Sequence, residues 1–288
     1  MTAPLSIGAV WRACRDVLAK HDVATATLDA KLLVGHALGL DALGLMTREM
    51  DGVSEAQREA INATISRRLT GESVARIIGY REFYGLNFKL SAATLEPRPD
   101  TELLVDLAIK ALPKGGRLLD LGTGTGCIPI SILANRPDGR GHASDINPEA
   151  LAMAQENARA NGVSERLSFS AGSWFEALEG LDRAARFDLI VSNPPYIVSE
   201  VINTLADEVK NFDPMLALDG GPDGVAPYRI LAAQAGGYLK ADGVILVEIG
   251  YDQANEVSAL FANAGFSQVR VHKDYGGLDR VVEAHHKA

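Results

Sequence analysis

The sequence predicts an α/β fold in which a small helical bundle precedes an open β-sheet, with a short β-hairpin between them. Three observations indicate this architecture. Apolar residues recur at helical spacing over the first 76 residues, strands alternate with helices from Arg117 onward, and 288 residues exceed the usual size of one domain. We therefore expect one small and one large domain.

The first 80 residues predict a bundle of four or five short helices. One apolar series at helical spacing consists of Val10, Ala13, Val17 and Leu18. Residues that commonly start helices stand at Asp22, Thr27, Asp41 and Ser54. Nine basic and nine acidic side chains balance in residues 1–80. This neutral bundle suits a docking module for a protein partner, and the alternative is a stabilising appendage.

The alternating segment 83–90 predicts a β-hairpin, with the Gly-Leu-Asn sequence at 85–87 as its turn signal. The hairpin is the predicted domain boundary. We place the helical domain at residues 1–80, the hairpin linker at 81–92 and the large domain at 93–288.

A stiff, proline-bearing run at residues 95–102 follows the hairpin. Asp100 or Thr101 is placed to cap the helix predicted over residues 102–112. Arg98 in this run is either a solvated charge or a group that reaches a substrate, and the sequence favours the first.

From Arg117 the pattern predicts a sheet built from βαβ units. Predicted strands cover residues 118–121, 141–145, 168–171, 187–191, 244–249, 268–272 and 280–284. One predicted helix begins at Cys127, and others cover residues 148–161, 227–239 and 253–264. Residues 197–226 predict a long loop, and loops of that length beside a cleft are often functional.

The stretch Ser-Asn-Pro-Pro-Tyr at 192–196 directly follows the apolar strand 187–191. Two consecutive prolines have no N–H to donate, so the strand must end there. At the carboxyl end of a central strand, this turn would lie where open α/β sheets bind ligands. The Asn193 amide and the Pro194 carbonyl would then face a cleft. The competing interpretation is an ordinary loop that holds two prolines.

A glycine-rich turn at residues 122–126 follows the strand 118–121. Residues without a Cβ let the backbone pass close to a ligand and adopt positive φ. The turn lacks the Gly-x-Gly-x-x-Gly order that seats the pyrophosphate of a dinucleotide on a helix N-terminus. A ligand other than a dinucleotide is therefore favoured.

Two residues at the ends of the next strands extend this candidate site. Asp145 would accept hydrogen bonds from both ribose hydroxyls of a nucleoside, or it would cap the following helix, a role that Asn147 also fits. Trp174 would form a wall for an adenine ring, or it would be a simple core residue.

Composition and charge exclude several classes of protein. No apolar run approaches the roughly 20 residues of a membrane span, and the first ten residues lack a signal pattern, so we expect a cytosolic protein with no membrane association. Residues 81–288 carry 19 basic and 28 acidic groups. This acidic balance argues against a protein whose main task is to grip nucleic acid.

We expect no disulfide or metal-binding role for the two cysteines and the two N-terminal histidines. Cys14 and Cys127 give no disulfide framework, which fits a reducing compartment, and both are expected to be small core residues. His21 and His36 stand at no metal-type spacing, so we expect no metal site.

These motifs together carry a family resemblance. The stretch Asp-Leu-Gly-Thr-Gly-Thr-Gly at 120–126, Asp145 and Asn-Pro-Pro-Tyr at 193–196 look like those of S-adenosylmethionine-dependent class I methyltransferases that act on nitrogen. With Pro-Arg-Pro-Asp-Thr-Glu at 97–102, the loop 218–224 and the helical N-terminal region, the chain resembles the HemK/PrmC family over nearly its whole length. These are the release factor glutamine N5-methyltransferases. Asn-Pro-Pro-Tyr alone is shared with adenine and guanine amino-methyltransferases.

The resemblance implies a Rossmann-like seven-stranded sheet, S-adenosyl-L-methionine as methyl donor and the glutamine of the Gly-Gly-Gln (GGQ) motif of bacterial class 1 peptide chain release factors as substrate. It implies that the cofactor is held by Gly122, Thr123, Gly124, Thr125, Gly126 and Asp145 and flanked by Trp174 and Asn193. It implies that the glutamine amide is held by Asn193, Pro194, Pro195 and Tyr196, with Asn193, Pro194 and Tyr196 as the catalytic set. Ser173 and Glu96 depart from the family pattern, which usually has an acidic residue at the first position and an aliphatic one at the second.

Two competing functions remain open at this point. An amino-methyltransferase that acts on DNA or RNA would extrude its target base and stack it on Tyr196, which the acidic balance of residues 81–288 disfavours. The second alternative is a non-catalytic nucleoside-binding module whose bundle docks a partner. The intact stretch 193–196 disfavours it, because such a module would have no function for these residues.

Overall fold

The structure, a computed structural model, describes residues 5–180 and 186–287. The described residues form two compact units. The helical unit comprises the chain up to Gly79 together with Ala206–Phe212, and the sheet unit comprises Tyr80–Leu205 and the chain from Asp213 onward. The helical unit therefore includes a segment from within the stretch that the sequence assigns to the large domain.

Between residues 5 and 79 the helical unit contains five helices, in agreement with the prediction. They are α1 (Ile7–Lys20), α2 (Ala26–Leu38), α3 (Ala42–Thr47), α4 (Glu55–Leu69) and α5 (Val74–Ile78). Their apolar faces bury a core of their own, in which Leu18, Leu33 and Ile61 are fully buried.

Two of the predicted helix starts are confirmed and two are wrong. Asp41 caps α3 and Ser54 caps α4, each through a side-chain oxygen that accepts a backbone N–H. Asp22 instead adopts φ +58° in the turn after α1, and Thr27 lies inside α2. Aspartate tolerates left-handed backbone, so a residue type that starts helices also fits the turn that follows one.

The predicted hairpin consists of β1 (Tyr80–Phe83) and β2 (Leu86–Lys89), paired antiparallel. Its turn is Tyr84-Gly85, with φ of +53° and +71°, a two-residue turn that matches the twist of the strands. The Gly-Leu-Asn sequence at 85–87 is therefore not the turn itself, because its last two residues pair within β2. Both strands contribute a buried phenylalanine to the core of the sheet unit.

A seven-stranded sheet forms the centre of the described part of the sheet unit. Its strands are β3 (Arg117–Leu121), β4 (Arg140–Asp145), β5 (Leu167–Ala171), β6 (Phe187–Ser192), β7 (Leu239–Glu248), β8 (Ser267–Lys273) and β9 (Asp279–His285). They lie in the order β5-β4-β3-β6-β7-β9-β8. The first five strands are parallel, and β9 is antiparallel to both of its neighbours. The strand order reverses between β3 and β6, and such a reversal opens a crevice at the carboxyl ends of the strands.

Helices pack against this sheet over two separate cores. The helices of the sheet unit are α6 (Glu102–Ala111), α7 (Cys127–Asn135), α8 (Pro148–Ala160), α10 (Ala226–Gln234) and α11 (Ala254–Asn263), and the helical unit holds α9 (Asp207–Lys210). Successive residues of β3 face opposite cores, with Leu118 in one and Leu119 in the other. Helix α10 is shorter than predicted because Gly236 and Gly237 disfavour its continuation, and β7 begins at Leu239 rather than at residue 244.

The cap predicted for α6 is wrong. Pro99–Thr101 form a 3₁₀ turn that runs directly into the helix, and Thr101 is already helical with φ −67° and ψ −16°. It makes no side-chain cap hydrogen bond. Asp100 pairs with Arg280 at 3.3 Å instead.

Both cysteines are buried free thiols, which confirms their predicted place as small core residues. Burial raises the pKa of both thiols, that of Cys127 to about 12, so both stay protonated at neutral pH. Among the described residues, no helix has the length and apolar character that crossing a lipid bilayer requires.

Candidate active site

A cavity of about 420 Å³ opens at the carboxyl ends of β3, β4, β5 and β6, where α/β sheets of this topology bind ligands. Predicted site residues that line it are Gly122, Thr123, Gly124, Thr125, Asp145, Trp174, Asn193 and Pro195. Predicted site residues outside its lining are Gly126, Pro194 and Tyr196. Further lining residues, from the run before α6 and the loop after β6, include Leu95, Pro97, Arg98, Pro214, Leu216 and Asp219.

The turn between β3 and α7 presents bare backbone to this cavity. Gly122 and Gly124 adopt φ of +75° and +54°, and a Cβ built on either residue would meet no atom within 4 Å. A ligand can therefore approach the backbone closely at both positions. Gly126 differs, because a Cβ there would lie 2.8 Å from the side chain of Ile130 and 3.2 Å from that of Ala154. This glycine lets α7 and α8 pack closely.

Asp145 ends β4 and holds the glycine turn in place. One carboxylate oxygen accepts the N–H of Gly124 at 2.8 Å, and the other accepts the N–H of Asn147 at 2.9 Å. The helix-cap interpretation of Asp145 is wrong, because the side chain of Asn147 caps α8 by accepting the N–H of Glu149. Each carboxylate oxygen keeps a second lone pair, so Asp145 can still accept hydrogen bonds from a ligand.

Trp174 lies on the cavity wall just after β5. Its backbone has φ +47°, a left-handed conformation that is strained for a bulky residue. Gly172 makes this tight turn possible, since a Cβ there would lie 2.6 Å from the Cα of Ala177. The indole packs against the core of the sheet unit and also lines the cavity. Its role as a wall for an adenine ring stays a prediction.

Buried hydrogen bonds fix the turn after β6 to its neighbours. The Ser192 hydroxyl donates to the carbonyl of Leu121 at 2.7 Å, which ties the end of β6 to the end of β3. The Asn193 side-chain nitrogen donates to the Thr101 hydroxyl at 3.3 Å. Because the amide nitrogen donates to Thr101, the Asn193 side-chain oxygen is the atom that remains to accept a hydrogen bond from a ligand.

Further contacts, made by residues of the loop after β6 and at the start of α11, also hold this turn in place. Tyr196 packs against the core of α10 and α11, and burial raises its pKa to about 12, so the phenol stays protonated. A Cβ on Gly220 would lie 2.8 Å from the Cα of Tyr196, so only glycine permits this contact. The Gln253 amide donates to the carbonyls of Tyr196 and Gly224 at 3.0 and 3.1 Å.

Asp120 is a buried carboxyl that is absent from the predicted site. It is fully buried on β3, and neither oxygen makes a well-aligned hydrogen bond to a described residue. Burial raises its pKa to about 7, although the nearby Thr123 hydroxyl acts in the opposite direction. A buried carboxyl with a strongly raised pKa beside a ligand cavity is a functional candidate. Its place two residues before the first glycine of the turn is the signal in the sequence.

We expect Asp120 to make the protein less stable as the pH rises from about 4 to about 7. The unfolded carboxyl ionises near pH 4, whereas the folded one keeps its proton to about pH 7, so rising pH favours the unfolded state. The difference between these pKa values corresponds to about 4 kcal/mol. Asp120→Asn should therefore raise the free energy of unfolding in urea at about pH 8 and not at about pH 4. The exposed Asp252→Asn is the control, and an equal effect of Asp120→Asn at both pH values would contradict this account.

Arg98 is not the solvated charge that the sequence favours. Its guanidinium pairs with the buried carboxylate of Asp213 at 2.8 Å and lines the cavity. Asp213 also accepts the N–H of Glu96 at 3.4 Å, so one carboxylate fixes two residues of the run before α6. Glu96 is itself buried and pairs with Arg81 at 3.5 Å, which accommodates a charge where the family pattern has an aliphatic residue.

Thr101 and Glu248 are two further buried groups that the sequence prediction missed. Each is 2% exposed, Thr101 just before α6 and Glu248 at the end of β7. Burial raises the pKa of Glu248 to about 7, while hydrogen bonds from Thr101 and Asn193 and the charge of Arg280 lower it. The signal for Glu248 is a carboxylate that ends an unbroken apolar strand.

Comparison with known proteins agrees with this geometry. Residues 9–79 match the family described as PrmC N-terminal domain, and residues 98–211 match the family described as Methyltransferase small domain. A methyltransferase structure from Pyrococcus furiosus is 16% identical with a TM-score of 0.52, and the match covers 77% of this chain and 98% of that one. At this identity the likeness shows the fold alone. The match to the Methyltransferase small domain family, together with the seven-stranded sheet, confirms the predicted class I methyltransferase fold.

Two relatives are similar over almost their entire length. The release factor glutamine methyltransferase of Agrobacterium fabrum is 46% identical over 283 residues, which is 96% of both chains. That of Caulobacter vibrioides is 41% identical over 280 residues, again 96% of both chains. These matches confirm the resemblance seen in the sequence, and the chain belongs to the release factor glutamine methyltransferase family.

Proposed function

We propose that this protein transfers the methyl group of S-adenosyl-L-methionine to the side-chain amide nitrogen (N5) of the GGQ glutamine in bacterial class 1 release factors. The observation that carries the proposal is the oriented amide of Asn193, which shares one cavity with the bare glycine turn at 122–126. The turn suits a nucleoside donor, and Asn193 suits an amide acceptor. The cytoplasm, where release factors work, is the proposed location.

The cavity offers the groups that S-adenosylmethionine requires. The backbone at Gly122 to Thr125 leaves room for close approach, and Gly126 packs the helix that carries this turn. Asp145 would accept the ribose hydroxyls, and Trp174 and Asn193 would flank the ligand. Asp120 does not line the cavity, but its carboxyl, which makes no well-aligned hydrogen bond to a described residue, would complement the positive charge of the donor when ionised. When bound, the donor supplies a methyl carbon activated by a positively charged sulfur.

The acceptor chemistry explains why the site is built from hydrogen-bond acceptors. An amide nitrogen is a weak nucleophile because its lone pair is delocalised into the carbonyl group. The Asn193 side-chain oxygen and the Pro194 carbonyl would accept the two N–H groups of the glutamine amide and turn the lone pair towards the methyl carbon. Pro195 and Tyr196 would pack along the amide plane. As the N–C bond forms and the S–C bond breaks, the nitrogen becomes acidic and its extra proton leaves to water.

In such a reaction, positioning of the reactants lowers the barrier more than a general base does. Holding two reactants in line lowers a barrier by roughly 7–11 kcal/mol. A general base contributes about 10²–10⁴-fold, or roughly 3–5 kcal/mol. A site that acts mainly by orienting the amide is consistent with these magnitudes.

Methylation of nucleic acid is the less supported alternative. A base-modifying enzyme would need a surface that neutralises phosphates, and residues 81–288 carry 19 basic against 28 acidic groups. The relatives that span this chain are named for release factors.

The proposal is tested by offering three acceptors side by side with a radiolabelled methyl donor: a class 1 release factor, the same factor with its GGQ glutamine replaced by alanine, and duplex DNA. We expect label on the intact factor alone, and mass spectrometry should place it on the glutamine. Label on DNA, or equal label on both factors, would overturn the proposal.

We further propose that the helical unit docks the body of the release factor. Three cations surround the ring of Trp11 at 5.1–5.7 Å, namely Arg12, Arg15 and Lys31. On α2, Leu28 and Leu32 are 58% and 45% exposed and lie on the same face as Lys31. An aromatic and apolar patch with a basic rim suits a protein surface with acidic groups.

The double variant Leu28→Ala/Leu32→Ala should raise KM for the release factor by about tenfold, because docking loses buried apolar area worth about 1.4 kcal/mol. Donor affinity and methylation of a short GGQ peptide should stay unchanged. Met50→Ala, at a position that is 87% exposed in the same unit, is the matched control. If patch and control variants behave alike, the helical unit is a stabilising appendage and not a docking module.

A further inference from the structure

A chain of buried polar groups leads away from the Asn193 side chain. Its nitrogen donates to the Thr101 hydroxyl at 3.3 Å. Both Thr101 and Asn193 act as hydrogen-bond donors towards the carboxyl of Glu248 and lower its pKa. One Glu248 oxygen has no well-aligned partner among the described residues, although the residue is only 2% exposed. The three residues come from the start of α6, the turn after β6 and the end of β7.

The direction of these hydrogen bonds depends on Glu248. An ionised carboxylate can only accept, so the Thr101 hydroxyl must donate to it and offers its own lone pairs to the Asn193 nitrogen. A side-chain amide is nearly symmetric in shape, and only its hydrogen bonds decide which end is oxygen and which is nitrogen. An acceptor at the end of the chain therefore holds the Asn193 nitrogen inward and leaves its oxygen to face the cavity.

We propose that Glu248 is a positioning residue that fixes, together with Thr101, which way round the Asn193 amide lies. The inference rests on the role proposed above for Asn193. A protonated carboxyl or a glutamine at position 248 can also donate, and it would then stabilise the reversed amide. The reversed amide would present N–H groups to the N–H groups of the substrate glutamine, and the acceptor would lose its alignment.

The ionisation of Glu248 gives this inference a pH signature. Burial raises its pKa to about 7. The charged and titratable groups that face it from neighbouring elements are Arg280, Asp100, Tyr196, Tyr228 and Cys127. Burial keeps the two phenols and the thiol protonated through neutral pH, and Arg280 and Asp100 form an ion pair at 3.3 Å. We therefore expect the methyl-transfer rate to rise with pH through about 7, as Glu248 becomes ionised.

The test measures single-turnover rates of the full-length protein with saturating methyl donor and saturating release factor, from about pH 5.5 to 9. Saturating donor removes any effect of Asp120 ionisation on donor binding, and the Glu248→Gln profile shows which part of the remaining rise belongs to Glu248. Glu248→Gln should lower the plateau rate about tenfold and remove the rise near pH 7, while KM for both substrates stays within about twofold. Thr101→Val should lower the rate to a similar extent. Thr101→Ser keeps the hydroxyl and should be at least about fivefold faster than Thr101→Val.

Tyr228→Phe is the matched control, because this hydroxyl donates to the main-chain carbonyl of Glu248 at 2.7 Å and not to its carboxyl. Its rate should stay within about twofold of the parent protein, with the pH rise intact. A Glu248→Gln variant with the parent rate and pH profile would overturn the inference, as would equal rates for the two Thr101 variants. Asn193→Ala, measured in parallel, distinguishes failure of the inference on Glu248 from failure of the role proposed for Asn193. If it keeps the parent rate, the proposed role of Asn193 fails as well, and if it alone loses the rate, only the role of Glu248 fails.

Discussion

Asn193→Ala should reduce kcat by about 10²- to 10³-fold, because one of the two acceptors that orient the substrate amide is lost. Affinity for the methyl donor should change little, since the glycine turn and Asp145 remain. Radiometric transfer to the release factor gives kcat, and calorimetric titration gives the Kd of the donor. Separating these two quantities distinguishes orientation of the acceptor from binding of the donor.

The exposed Asn263→Ala, at the end of α11 in the same unit, controls for removal of an asparagine side chain. It should leave both quantities at the parent values. A joint loss of kcat and donor affinity in Asn193→Ala would mean that Asn193 holds the donor and not the glutamine amide.

Asp145→Ala should weaken binding of the methyl donor by about 10²- to 10⁴-fold. Two hydrogen bonds from ribose hydroxyls to a carboxylate contribute about 1.5–3 kcal/mol each, and both disappear. The variant also removes the acceptors for the N–H groups of Gly124 and Asn147, so the glycine turn loses its anchor. The Kd of the donor, measured by calorimetry, checks this expectation.

Asp145→Asn keeps one side-chain oxygen in nearly the same place and should lose less donor affinity than Asp145→Ala. Asp252→Asn, on an exposed side chain, should have no effect on the Kd. Unchanged donor affinity in Asp145→Ala would contradict the proposed ribose contact, whatever happens to turnover.

Local sequence was sufficient for the parts of the site that a single turn builds. The glycine turn at 122–126 and the prolines after Asn193 constrain the backbone by themselves, so their places at strand ends could be predicted from the pattern. The predicted seven strands also appear in the sheet, and apolar runs such as those at residues 187–191 and 244–249 mark its central strands. Errors at these elements are confined to their ends.

The missed residues are those whose role depends on contacts between distant segments. Thr101 and Asn193 are 92 positions apart, and Arg98 meets Asp213 across 115 positions. The sequence shows that Glu248 ends an apolar strand, but only the fold shows that Thr101 and Asn193 are its partners. Sequence pattern therefore predicted where the cavity lies and which motifs line it, but not what holds its side chains in orientation.

The membership of Ala206–Phe212 in the helical unit bears on how the chain can be dissected. A cut after Gly79 would release a fragment that lacks the segment Ala206–Phe212 of its own unit, and that segment would stay on the other fragment. The two pieces would then be partners in fragment complementation, held together by native packing without a peptide link. Exchange of the helical unit between relatives would accordingly require two grafts, one at the N-terminus and one in the loop after β6.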